Sequence, residues 1–205
     1  MIIPIETLWL FIAAATALLL SPGPNMALVV AQALAQGVRG GIAVASGILL
    51  ADLVMTLLVM AGIAATLAAW PGALGVIQAA GALYLAWLGV QSLRGHPQRG
   101  QVEVIRSTPA IVRLSLLTSL LNPKALLFFL VFLPQFVAPE RGPVALQLGL
   151  LGALLALLAF AFHAALGVAS AHAGRRVTFG QARVIWLGRL QALVFFALAA
   201  RLLLA

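Results

Sequence analysis

Ser21-Pro22-Gly23-Pro24-Asn25 and Asn122-Pro123-Lys124 place helix-breaking and hydrogen-bonding residues inside two apolar runs of a 205-residue chain. Each proline lacks an amide hydrogen and clashes with the turn before it, so carbonyls upstream lose their helical partners. The half-helix that resumes after each break presents free amides and the positive end of its dipole. A carboxylate could bind those amides, and the freed carbonyls could accept from an ammonium group. A zwitterion such as an amino acid suits both ends. A single proline would be an ordinary kink. Two prolines flanking Gly23, with Ser21 and Asn25 on either side, argue for more.

Asp52 is the only acid deep within an apolar run, set between Leu49-Leu50-Ala51 and Leu53-Val54-Met55. A carboxylate at the centre of a membrane helix costs about 2.5–3.5 kcal/mol even on the lenient insertion scale. Such a residue faces a bundle interior and is a functional candidate by default. It could bind an ammonium group or carry a proton; the bland alternative is a hydrogen-bonded packing residue. Lys124 is the only lysine. Snorkelling is strained near a midplane, so Lys124 is expected to neutralise Asp52 or a substrate carboxylate. Thr56, Tyr84 and His163 are secondary candidates, His163 as a proton relay or a packing histidine. Gln32, Gln78, Gln91, Thr118 and Ser119 are weaker cavity-lining candidates, most of them read as structural.

The elements that must position these groups follow from composition. The chain is 64% hydrophobic and 8% charged, with a mean hydropathy of +1.16. No soluble core needs so much apolar residue, so an all-α membrane protein is expected. The net charge of +8 might suggest nucleic acid, but the basic residues fall between apolar runs and set orientation instead. There are no cysteines, which removes disulfides and thiolate chemistry. The N-terminal stretch Met1-Ile2-Ile3-Pro4-Ile5-Glu6 has no basic residue, so it reads as the start of a spanning segment and not a cleavable signal.

Six runs are long enough to cross a hydrocarbon core: 5–35, 41–67, 73–93, 111–137, 143–171 and 182–204. They form a single transmembrane domain. Arg39, Arg94, Arg99, Arg106, Arg113, Arg175, Arg176 and Arg183 fall in or beside the first, third and fifth connections, against Arg141 and Arg201 on the other side. The positive-inside rule then puts both termini in the periplasm. Asp52 lies about 16 Å from the cytoplasmic end of its run, Asn25 about 16 Å and Asn122 about 14 Å from theirs. All three fall near the midplane of a core about 30 Å thick.

Three crossings per half imply a 3+3 inverted repeat with helices 1 and 4 broken. An offset of 101 residues superposes Pro22 on Pro123 and Gly41 on Gly142, although identity elsewhere at that offset is poor. Small residues recur at four-residue spacing (Ala43, Gly47 and Ala51; Gly149 and Ala153; Gly152 and Ala156). In so alanine-rich a chain this spacing is expected by chance.

No Gly-rich phosphate loop is present, so the chain is not read as an ATP-driven pump. Three scattered histidines make no convincing metal cluster, and Ser21 lacks a nearby base for hydrolysis. Neither an enzyme activity nor a cofactor is expected.

At these residues the chain resembles the LysE/RhtB family of amino-acid exporters. The matching stretches are SPGPN at 21–25, GILLAD at 47–52, GALYLAWLGVQSLRG at 81–95 and NPKALLFFLVFLPQF at 122–136. The resemblance implies a six-helix carrier of the bacterial cytoplasmic membrane that expels amino acids by proton antiport. Its motif positions are Pro22, Gly23, Pro24, Asn25 and Asp52, then Gly81, Tyr84, Leu85 and Gly89, then Asn122, Pro123 and Lys124. The last helix departs from the pattern, with Ala192 and Ala199 where glycines are usual, which bears on helix packing or a homodimer contact. The NPK-through-PQF stretch is more similar to the homoserine, threonine and leucine branch than to the basic amino-acid branch. The alternatives are export of a cation or other small metabolite, and a non-transporting membrane scaffold.

Overall fold

Pro4, extended at ψ 149°, starts α1 (Ile5–Leu19) in the computed structural model, which describes residues 2–70, 72–94, 105–173 and 181–204. Helix geometry fails at the first proline motif. The Leu20 amide reaches the Thr16 carbonyl at 3.0 Å, Gly23 is extended, and α2 (Pro24–Ala69) begins on Pro24. The second motif behaves alike. α4 (Thr108–Leu120) closes at Leu121, Asn122 is extended, and α5 (Pro123–Leu127) begins on Pro123. Proline suits the first helical position because its missing amide would have had no partner there. Pro24 and Pro123 therefore hold the same place, first in the helix after a break, whereas Pro22 lies within the first break. The first break is two residues longer than the second, which shortens the offset by the same amount.

α2 is not one rod. Gly37 has φ 67° and ψ −158°, a region essentially reserved for glycine, and the chain doubles back there. A Cβ on Gly41 would lie 3.3 Å from the Ala33 methyl, whereas eight residues of straight helix would separate them by about 12 Å. The arms 24–36 and 38–69 thus lie side by side. α3 (Ala73–Arg94) follows.

Beyond α5 the winding changes twice. Pro134 cannot supply the amide that the Leu130 carbonyl would accept in an α-helix. The chain loosens to a π-helical turn over Phe128–Phe132 and tightens to a 3₁₀ turn over Leu133–Phe136. A further 3₁₀ turn (Pro139–Arg141) precedes α6 (Val144–Ala173), and α7 (Gln181–Leu204) completes the order. There is no strand among the described residues.

The second arm of α2 packs on α6 and α4, and α3 packs on α7. Glycines permit the approach. A Cβ on Gly41 would sit 2.7 Å from the Gly167 Cα, where only backbone could give way. One on Gly47 would collide with Ser115 and the Val112 carbonyl, and one on Gly152 with Thr56. Chance spacing does not describe Gly47 and Gly152; they are sites of close helix contact, as small residues are in membrane bundles. Ala153 is exposed and keeps the chance reading. Phe11 of α1 meets Phe132 at 5.7 Å and Phe136 at 5.2 Å between ring centroids, and Phe128 stacks on Phe132 at 3.9 Å. These rings are buried and fix α1 against the distorted segment.

Large apolar side chains also cover the outside. Leu121 is 80% exposed, Leu83 73%, Trp186 70% and Trp9 65%. So much outward apolar surface has hydrocarbon as its natural solvent. By length and composition the stretches 24–63 and 144–173 could each cross a membrane, the first of them containing the reversal at Gly37. The pair 108–120 and 124–136, bent by 62°, makes a third when taken as one span. The loop arginines Arg99, Arg175 and Arg176, counted for orientation, lie outside the described residues.

Candidate functional site

The two breaks face a common cavity. Ser21, Gly23 and Asn25 line it from the first break, Asn122 and Lys124 from the second, Asp52 from α2 and His163 from α6. Its volume is about 70 Å³, several times the ~10–15 Å³ that one water needs on this scale. The remaining wall is apolar, with Leu18, Met26, Ile48, Phe128, Phe129 and Leu155. The lining thus holds both groups that can meet charge and apolar groups that can meet an aliphatic chain.

Hydrogen bonds tie the breaks together. The Lys124 ammonium donates to the Ser21 carbonyl at 3.0 Å, and Asn25 Nδ2 donates to Ser119 Oγ at 3.1 Å. Asn122 caps α5, its Oδ1 accepting from the Lys124 amide at 3.1 Å. α2 has no side-chain cap at Gly23, so its first turn faces the cavity with amides uncapped by any side chain. Lys124 does not pair with Asp52: among the described residues no ion pair joins them.

Asp52 is only 5% exposed, and among the described residues no protein group hydrogen-bonds its carboxyl. His163 Nδ1 donates to the Ala159 carbonyl at 2.8 Å, because a carbonyl can only accept. That fixes the tautomer of a neutral ring with its Nε2 as the free nitrogen.

Other sequence candidates stand behind the wall. Pro22 and Pro24 shape the first break but are not among the described lining residues, and Pro123 starts α5. Thr56 donates to the Asp52 carbonyl at 2.7 Å and packs on Gly152. Tyr84 donates to the Lys124 carbonyl at 3.3 Å, so the third-helix motif buttresses the second break. A Cβ on Gly81 would collide with Gln135, and one on Gly89 would reach Phe196 of α7 at 2.9 Å. Ala192 and Ala199 are buried within the chain itself. Arg189 is exposed, while the side chains of Gln78, Gln191 and Arg201 lie outside the described residues. Ser119, a weaker cavity-lining candidate in the sequence, is not among the described lining residues but meets Asn25 across the break. Its one signal was position, a hydroxyl in the last turn before a break.

A family of known translocators accounts for these features together. The model of the LysE type translocators matches residues 16–205, which include both breaks and Asp52. The chain belongs to the LysE family. A leucine efflux protein of Klebsiella pneumoniae is 31% identical over 195 residues, covering 94% of this chain and 92% of that protein. A leucine efflux protein of Enterobacter sp. (strain 638) is 31% identical over 160 residues, 75% of this chain and 74% of that one. One from Salmonella typhimurium is 33% identical over 140 residues, 65% and 66% of the two chains. No solved structure matches. As a LysE translocator the chain is a multi-pass membrane transporter and not an enzyme.

Proposed function

We propose that this LysE translocator exports a neutral aliphatic amino acid, of the leucine, threonine or homoserine kind, by proton antiport across the bacterial cytoplasmic membrane. The observation that carries the reading is the cavity between the breaks, lined by Asp52 and Lys124 together with aliphatic and aromatic side chains. The substrate carboxylate lies against Lys124 and the uncapped first turn of α2, where ammonium and helix dipole both favour an anion. Asp52 takes the ammonium group or the coupling proton. The names of the relatives favour leucine within this class.

Six crossings and a 3+3 repeat belong to the same reading. Each half runs short helix, break, half-helix, positive-φ glycine, long helix and final helix, with Gly37 and Gly142 as the glycines. The pairing of α2 with α6 and of α3 with α7 is what a two-fold relation between halves would produce. The distribution of arginines favours periplasmic termini. A homodimer would have to use surfaces other than Ala192 and Ala199.

Purified protein in liposomes loaded with labelled leucine tests the function. Efflux that quickens with an imposed pH gradient supports it. Movement of cations but no amino acid would favour the metabolite alternative, and movement of nothing the scaffold.

A further inference from the structure

Among the described residues Asn25 holds a buried oxygen without a partner. Its Nδ2 donates to Ser119 Oγ at 3.1 Å, while Oδ1 is shielded from solvent and accepts no hydrogen bond from any described group. A buried acceptor left unmade is costly, and in native proteins such an atom calls for a water, ion or ligand. Asn25 lines the cavity that Asp52 and Lys124 share. Ser119 does not line it; it is wholly buried at the end of α4, across the break. A serine hydroxyl can donate as well as accept; in this structure it accepts, and the amide turns its Nδ2 to Ser119. With Nδ2 turned to the serine, the carbonyl oxygen is what remains for a ligand.

We propose that Asn25 Oδ1, oriented by Ser119, accepts a hydrogen bond from the substrate ammonium group, so that Ser119 is a positioning residue for amine recognition. The inference rests on the amino-acid reading above and adds to it a second ammonium acceptor and a means of rejecting deaminated analogues. An ammonium group has three donors and can serve Asp52 and Asn25 together. A hydroxyl in the same place has one donor and no charge. A 2-hydroxy acid with the leucine skeleton therefore leaves one acceptor unpaired, and discrimination of that kind is steep.

The test is leucine efflux from proteoliposomes by the wild type and Ser119→Ala, with two competitors: 3-methylbutylamine, which lacks the carboxylate, and 2-hydroxy-4-methylpentanoate, which lacks the amine. Losing the orientation should raise KM for leucine about tenfold with the maximal rate little changed. Inhibition by the amine should weaken by a similar factor, while the hydroxy acid, a poor inhibitor of the wild type, should inhibit the variant no less; an unchanged elution profile in detergent shows that the variant is folded. An unchanged KM overturns the inference. So does weakening confined to the hydroxy acid, because the amide would then be presenting its NH₂ to the carboxylate. Thermal shifts of the detergent-purified proteins with the same three compounds must follow the same order. A wild type that moves no neutral amino acid removes the underlying reading itself, an outcome visible before any variant is compared.

Discussion

The Lys124 ammonium donates to the Ser21 carbonyl at 3.0 Å, joining residues 103 apart in the chain. In an unbroken helix that carbonyl would accept from the Asn25 amide. The second break thus supplies the donor that the first one lacks. Asn25 sends a bond back across the same gap to Ser119, so each break is braced by the other. In the proposed reading a substrate carboxylate would meet the same ammonium group, whose three donors can serve the Ser21 carbonyl and the carboxylate together.

Lys124→Met should therefore cost twice. Losing a hydrogen bond from a charged donor destabilises by about 1.5–3 kcal/mol, visible as a lower melting temperature in detergent. Leucine efflux should fall at least about tenfold. A variant with wild-type efflux would remove Lys124 from the site.

Gly37 and Gly62 separate backbone strain from crowding. Neither would bring an added Cβ within 4 Å of another group, but only Gly37 has positive φ, at 67°. Gly37→Ala should destabilise by about 1–3 kcal/mol. Gly62→Ala, in regular helix, should be neutral or stabilise by about 0.5–1 kcal/mol. Equilibrium unfolding of both variants in the same detergent compares them directly.

Packing alone is tested at Gly41. Its missing Cβ leaves room for the Gly167 backbone, and backbone cannot turn aside as a side chain can. Gly41→Ala should cost about 1–3 kcal/mol, and a bulkier Gly41→Leu should prevent stable folding. Expression level and monodispersity in detergent are the readouts.

Phe129, 3% exposed, forms part of the apolar wall. Phe129→Ala should widen the cavity and let larger side chains enter, shifting competition assays from leucine toward phenylalanine and tryptophan. Deleting buried aromatic volume should also lower stability by about 3–5 kcal/mol, so the comparison belongs at low temperature.

The breaks and Asp52 were legible in the sequence because proline and a carboxylate inside apolar runs are strong local signals. Their depths, counted by helical rise, also placed Asn25, Asp52 and Asn122 at one level, and the three line one cavity. What stayed hidden depends on partners far along the chain. Ser119 looks like any serine until Asn25, 94 residues away, is brought to it. Gly47 and Gly152 look like chance in an alanine-rich background because spacing on one helix does not reveal what crosses it. The reversal at Gly37 falls in the gap between the runs 5–35 and 41–67, so a turn was legible there, and only the glycine's positive φ left no trace in hydropathy. Which proline of the first motif restarts a helix was hidden too, since Pro22 and Pro24 look alike in sequence and only Pro24 holds the first helical position.

The most direct measurement is leucine efflux from proteoliposomes by the wild type and Asp52→Asn, each with and without an imposed pH gradient. The amide keeps the size of the side chain and removes its exchangeable proton and its charge. With Asp52 as ammonium ligand or proton carrier, wild-type efflux quickens with the gradient. The variant loses that response, and its rate falls at least about tenfold. Wild-type efflux by Asp52→Asn at every pH would contradict it.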